Sequence, residues 1–175
     1  MSETATARAT LAPHCRACGP NGLDLGAGGD PILPTSIAVD RAETDGQRAH
    51  VGKSPTHLVG DVANLHWFRD GCLDYVYSSH TLEDADDPVA WLQEWLRVIR
   101  PGGHLVLFLP DQAKYVAYCE AYGQLPNQAH KYADFSLKFV KEKLATLGYE
   151  QRDVVFEAWP FKGNPYSFAL VIRKH

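Results

Sequence analysis

The chain has 175 residues and a mass of 19.4 kDa, and 45% of its residues are hydrophobic against 22% charged. That balance fits one globular domain and excludes whole-chain disorder. Seventeen basic against 21 acidic residues leave a net charge of −4, with no broad electrostatic footprint for nucleic acid or an anionic membrane. No apolar run approaches the roughly 20 residues of a membrane span. Four cysteines are too few for a disulfide scaffold in a chain this long, so reduced thiols and a cytoplasmic location are expected.

Residues 1–20 are small and polar and read as a loose, flexible lead-in with no apolar secretory core. Residues 21–175 read as a single domain. Gly22–Gly26, Ile37–Asp40, His57–Gly60 and Leu73–Ser78 read as four strands. His104–Leu109 is apolar after its first residue, as expected of a fifth strand covered on both faces. The helix before it has Asp87 as cap and Pro88 in its first turn. Leu92, Leu96 and Ile99 share one face, and Pro101-Gly102-Gly103 closes the helix. Strand, helix and strand make a parallel βαβ unit.

Residues 111–134 show little periodicity and carry four tyrosines and His130, so they read as a lid or binding segment. Val116–Tyr122 is a candidate short helix there. A further helix runs from about Ser136 to Leu147 on a stripe of Leu137, Val140, Leu144 and Leu147, stopped by Gly148. Arg152–Ala158 and Ser167–Arg173 read as two strands of an antiparallel hairpin around Gly163-Asn164-Pro165.

Asp24-Leu25-Gly26-Ala27-Gly28-Gly29 closes the first strand. Glycines let the backbone turn sharply there and approach a ligand. Asp40 ends the second strand, where a carboxylate can accept both hydroxyls of a ribose. Asp61 follows the third, where it can meet the exocyclic amine of an adenine. Ligands of open α/β sheets bind beyond these strand ends. A dinucleotide fingerprint fails because Pro31 stands where a glycine or small residue is needed, and no phosphate-cradling Gly-Lys-Ser/Thr follows. A ligand with a ribose, an amine and a positive centre fits these carboxylates better than a pyrophosphate does. His14-Cys15-Arg16-Ala17-Cys18 offers up to three metal ligands where structural zinc wants four, so no metal is expected.

Gly22-Leu23-Asp24-Leu25-Gly26-Ala27-Gly28 resembles the first motif of class I S-adenosylmethionine (SAM)-dependent methyltransferases. Gly60-Asp61-Val62 resembles their adenine-contact segment. Leu73 to Glu83 resembles their fourth-strand motif, and Trp95 to Leu105 the helix and turn before their fifth strand. The ordered set is most similar to the small type 11 group. The resemblance implies a Rossmann-like α/β fold with a seven-stranded mixed sheet and a C-terminal antiparallel hairpin. It implies that Asp24, Gly26 and Gly28 surround the methionine part of SAM, Asp40 holds the ribose, and Asp61 and Val62 bracket the adenine. Ser78, Ser79 and His80 would line the site. Two departures stand out. Pro31 and Pro34 leave little room for the usual first helix, which shortens the first crossover. The group often has histidine where this chain has Asp84.

The expected activity is methyl transfer by in-line displacement to a small-molecule or saccharide acceptor, with no nucleic-acid partner and no membrane. His80, just past the fourth strand, is the first candidate for proton transfer, and His130 in the lid the second. The shortened crossover motivates one alternative, a non-catalytic module that binds a nucleoside or a protein partner.

Overall fold

The computed structural model describes residues 2–41 and 58–175. Seven strands form one sheet: β1 (Gly22–Leu25), β2 (Ile37–Asp40), β3 (Leu58–Val59), β4 (Leu73–Ser79), β5 (Ile99–Pro110), β6 (Val154–Ala158) and β7 (Ser167–Arg173). Their order is β3-β2-β1-β4-β5-β7-β6. Neighbours from β3 to β5 are parallel, and β7 runs antiparallel between β5 and β6. The expected mixed sheet and C-terminal hairpin are therefore present. His57, expected to begin the third strand, lies outside the described residues.

The first crossover is short, as Pro31 and Pro34 suggest, and residues 27–36 contain no helix. One sheet face is instead covered by α1 (Glu3–Arg16). This corrects the expectation of a loose lead-in over 1–20. Ser2 caps the helix by accepting from the Ala5 N–H at 3.0 Å. Thr4, Ala7, Leu11 and Cys15 recur at spacings of three and four and are all buried. Leu11 alone among them is large, so the stripe carries little hydrophobic contrast. These residues pack on Tyr75, Tyr77, Val106, Phe108, Ala169 and Val171.

The other face holds the larger core. There α2 (Pro88–Val98) and α4 (Leu137–Thr146) bury Leu92, Trp95, Phe139, Val140 and Leu144 against Leu25, Val76, Leu107 and Leu170. The α2 helix ends earlier than its sequence pattern suggests, because Ile99 already belongs to β5. Residues 100–103 then loop out opposite Asp74 before pairing resumes at His104. A Cβ on Gly103 would lie 2.4 Å from the Asp74 carbonyl oxygen, so only glycine fits that loop.

Within the lid segment, α3 (Gln112–Ala121) replaces the shorter helix expected at Val116–Tyr122. Asp111 caps it, accepting from the Lys114 N–H at 3.2 Å. Only Cys119 of this helix is buried, which explains its weak pattern. Phe135 anchors the end of the lid in the core at 1% exposure. No helix among the described residues is long and apolar enough to cross a membrane.

Since Leu11 is the one large residue that α1 buries against the sheet, Leu11→Ala should cost about 2–5 kcal/mol in urea denaturation. A loss under about 0.5 kcal/mol would mean that the helix is only loosely docked.

Candidate functional site

Strand order reverses direction between β1 and β4, since the chain runs outward through β2 and β3 before returning to β4. A crevice opens where two such connections diverge, beyond the carboxyl ends of the two strands. The glycine turn lies there. Gly26 has φ +72°, and a Cβ on it would stand 2.1 Å from Thr81 Oγ1. Gly28 has φ +55°, and a Cβ there would meet nothing within 4 Å. A ligand can therefore approach the backbone at Gly28. The Gly28 N–H donates to Asp40 Oδ2 at 3.0 Å, and the Arg41 N–H donates to Oδ1 at 2.8 Å. Each carboxylate oxygen accepts more than one bond, so Asp40 retains capacity for ligand hydroxyls.

Asp24 lies in β1, two residues before Gly26. It alternates with Leu23 and Leu25, so it faces the α1 side of the sheet and is fully buried. Oδ2 accepts from the Ile32 N–H at 2.6 Å. The residue braces the crossover through that bond, while its Oδ1 has no hydrogen-bond partner among the described residues. Burial pushes its carboxyl well above the usual range. Ser78 is also fully buried, its hydroxyl donating to the Leu25 carbonyl at 3.0 Å. It fastens β4 to β1. Ser79 ends β4 at 8% exposure.

Asp61 is exposed and accepts from the Ala63 N–H at 2.9 Å. Val62 is buried, and its carbonyl accepts from Trp95 Nε1 at 2.8 Å. Beside them the ring of Trp67 covers Gly60, where a Cβ would stand 2.6 Å from it.

The two candidate histidines come from different segments and converge on one residue, Glu83. His80 sits in the left-handed region, φ +49°, with its N–H donating to the Phe108 carbonyl at 2.9 Å. Such a backbone is uncommon outside glycine and is held only by its surroundings. His80 Nε2 pairs with Ser167 Oγ at 2.9 Å. Its Nδ1 is 3.7 Å from Glu83 Oε1. His130 Nδ1 lies 2.6 Å from Gln112 Oε1, and its Nε2 is 3.7 Å from the same Glu83 oxygen. An amide oxygen only accepts, so with this Gln112 assignment His130 carries its proton on Nδ1 and turns a bare nitrogen to Glu83. The Lys131 N–H, donating to the Glu83 carbonyl at 3.0 Å, pins the lid over this corner.

Glu83 is buried, and neither carboxyl oxygen has a hydrogen-bond partner among the described residues. Burial raises its carboxyl well above the ordinary range, reinforced by Asp84 and Glu3. Burial also lowers His80 to about 4 and lowers His130. At neutral pH both imidazoles are thus neutral. The first turn of α1 completes the corner. Glu3 accepts from Tyr166 Oη at 2.7 Å and from Asn164 Nδ2 at 2.6 Å, and lies 3.8 Å from His80 Nε2. Sequence reasoning missed Glu3 because it read that segment as unstructured. It quoted Glu83 within a motif without giving it a role.

The family described as "Methyltransferase domain", of type 11, matches residues 23–107. A curated relative from Streptomyces fradiae, an uncharacterized 37.1 kDa protein in transposon TN4556, is 34% identical over 100 residues. The match covers 54% of this chain and 28% of that protein. Among solved structures, a SAM-dependent methyltransferase from Archaeoglobus fulgidus superposes with a TM-score of 0.68 at 18% identity. That likeness covers 98% of this chain and 94% of the other. One from Mesorhizobium loti gives 0.65 at 15% identity, covering 97% and 98%. At those identities the likeness is one of fold.

The buried Asp24 makes stability depend on pH. A carboxyl with a raised native pKa favours the folded state most below its unfolded value of about 3.9. That contribution is lost as pH rises towards the native value. Asp24→Asn removes the ionisation. From pH 4 to pH 7 the parent should therefore lose stability relative to the variant, measured as urea midpoints. A difference that stays constant with pH would show that Asp24 is ionised in the native state.

Proposed function

We propose that the chain is a class I SAM-dependent methyltransferase of the type 11 group, whose domain matches residues 23–107, and that it methylates a small-molecule or saccharide acceptor on oxygen or nitrogen. The observation that carries this reading is the convergence of the open Gly28 turn, the Asp40 carboxylate and the end of β4 at the switch point of the sheet. These residues fit the cofactor. A backbone with free space at Gly28 admits the methionine part, and Asp40 has lone pairs left for ribose hydroxyls. Asp61 and Val62 would bracket the adenine.

When bound, SAM supplies a methyl group already activated on a sulfonium, so the protein needs no nucleophile of its own. What the chain must do is position the acceptor, take its proton and exclude water. His80 stands one residue beyond β4, and the next residue, Thr81, packs on Gly26. Its imidazole is neutral and thus able to accept a proton. His130 reaches the same corner from the lid, and α3 with the segment through Phe135 would keep water out. Holding the acceptor close and aligned supplies on the order of 7–11 kcal/mol in favourable cases.

Calorimetry with SAM and its demethylated product, S-adenosylhomocysteine, tests the reading. Asp40→Ala should keep the fold by circular dichroism and weaken both ligands about tenfold to a hundredfold, the scale of losing charge-assisted hydrogen bonds. Unchanged affinity in that variant would remove Asp40 from the ribose site.

A further inference from the structure

The corner around His80 has a chemistry narrower than methyl transfer requires. His80 lies between two carboxyl groups, with Nε2 3.8 Å from Glu3 and Nδ1 3.7 Å from Glu83. Glu83 has 1% side-chain exposure and makes no side-chain hydrogen bond among the described residues. Among those residues, neither acid pairs with a lysine or arginine; their only ion-pair contacts are histidines. The remaining walls are aromatic. Tyr166 stands edge-on to His80, and Tyr118 packs on Tyr166 with centroids 4.8 Å apart. A buried acid without a partner, a second acid and tyrosine rings together lack one thing, a cation. An acceptor carrying carboxylate or phosphate would be repelled here, and a neutral alcohol would leave Glu3, which has hydrogen bonds from Tyr166 and Asn164, without a counter-charge.

We propose that the methyl acceptor is a small amine, which enters as an ammonium ion and is held at this corner by Glu3 and the tyrosine rings, with Glu83 behind His80. The inference rests on the methyltransferase reading and names its substrate class. Charge attraction to Glu3 and cation–π contact with Tyr118 and Tyr166 favour the ammonium over an isosteric alcohol. The ammonium gives one proton to the His80 imidazole, which frees the nitrogen lone pair. That lone pair forms the new nitrogen–carbon bond as the carbon–sulfur bond breaks, its electron pair remaining on sulfur. The methylated nitrogen is again a cation and stays matched to the same acids until release. The proton on His80 passes to solvent.

The test is calorimetric titration of the full chain, saturated with S-adenosylhomocysteine, at pH 7. The probes are primary amines of graded size from methylamine to phenethylamine, each paired with its isosteric alcohol. At least one amine should bind about tenfold tighter than its alcohol, the size expected of one partly desolvated cation–π contact with its charge partner. Glu3→Gln, on a side chain 36% exposed, should bring that amine down to the level of its alcohol and leave the alcohol unchanged, with the fold checked by circular dichroism. Equal or weaker binding of every amine, no binding of any, or a preference that survives in Glu3→Gln would overturn the proposal. Binding of S-adenosylhomocysteine is titrated first in the same sample. Its failure would sink the methyltransferase reading, whereas amine failure with that binding intact sinks only the substrate class.

Discussion

The hydrogen bond from the Gly28 N–H to the Asp40 carboxylate closes the turn after β1 onto the end of β2, and the crevice takes its form from it. A helix in the first crossover would satisfy its own backbone groups. Residues 27–36 have none, so side chains hold the segment instead. Asp40 takes the Gly28 N–H from above, and Asp24 takes the Ile32 N–H from below. Asp30, tied to Ser2 and Arg8, fastens the segment to α1. Three carboxylates thus do the work of a missing helix. This couples the N-terminal helix to the site, because the same first turn of α1 that meets Asp30 also delivers Glu3 to His80.

The far side of the crevice is kept at a cost. A buried carboxyl without a hydrogen bond costs about 1–3 kcal/mol, and a non-glycine residue in the left-handed region costs about 1–2 kcal/mol. Glu83 and His80 carry these penalties three residues apart. Unsatisfied and strained groups gathered at one place point to a function that the surrounding fold supports. The lid backbone reinforces the arrangement through Lys131, and His130 faces the same acid from outside. The two histidines are therefore linked through a shared neighbour.

Much of the sheet was legible because parallel strands covered on both faces are short apolar runs punctuated by glycine and aspartate. The α2 helix was legible from its cap, Asp87, and both α2 and α4 from stripes of aliphatic residues. The α1 helix was not, because its buried face is threonine, alanine and cysteine around a single leucine, and its burial comes from packing on Tyr75 and Tyr77 of the sheet. The carboxylates at the strand ends were visible as residues but not as partners. Strand alternation places Asp24 on the α1 face of the sheet, while Asp40, at the very end of its strand, stays beside the glycine turn. Pairing of His80 with Glu3 and Ser167 depends on contacts between segments up to 87 residues apart, which no local pattern encodes.

A crystal structure with S-adenosylhomocysteine tests the central claim most directly. The account predicts ribose hydroxyls on the Asp40 carboxylate, the amino-acid part over Gly28, and the sulfur turned towards His80. A nucleoside bound away from the β1–β4 switch point, or an Asp40 carboxylate out of contact with the sugar, would contradict it.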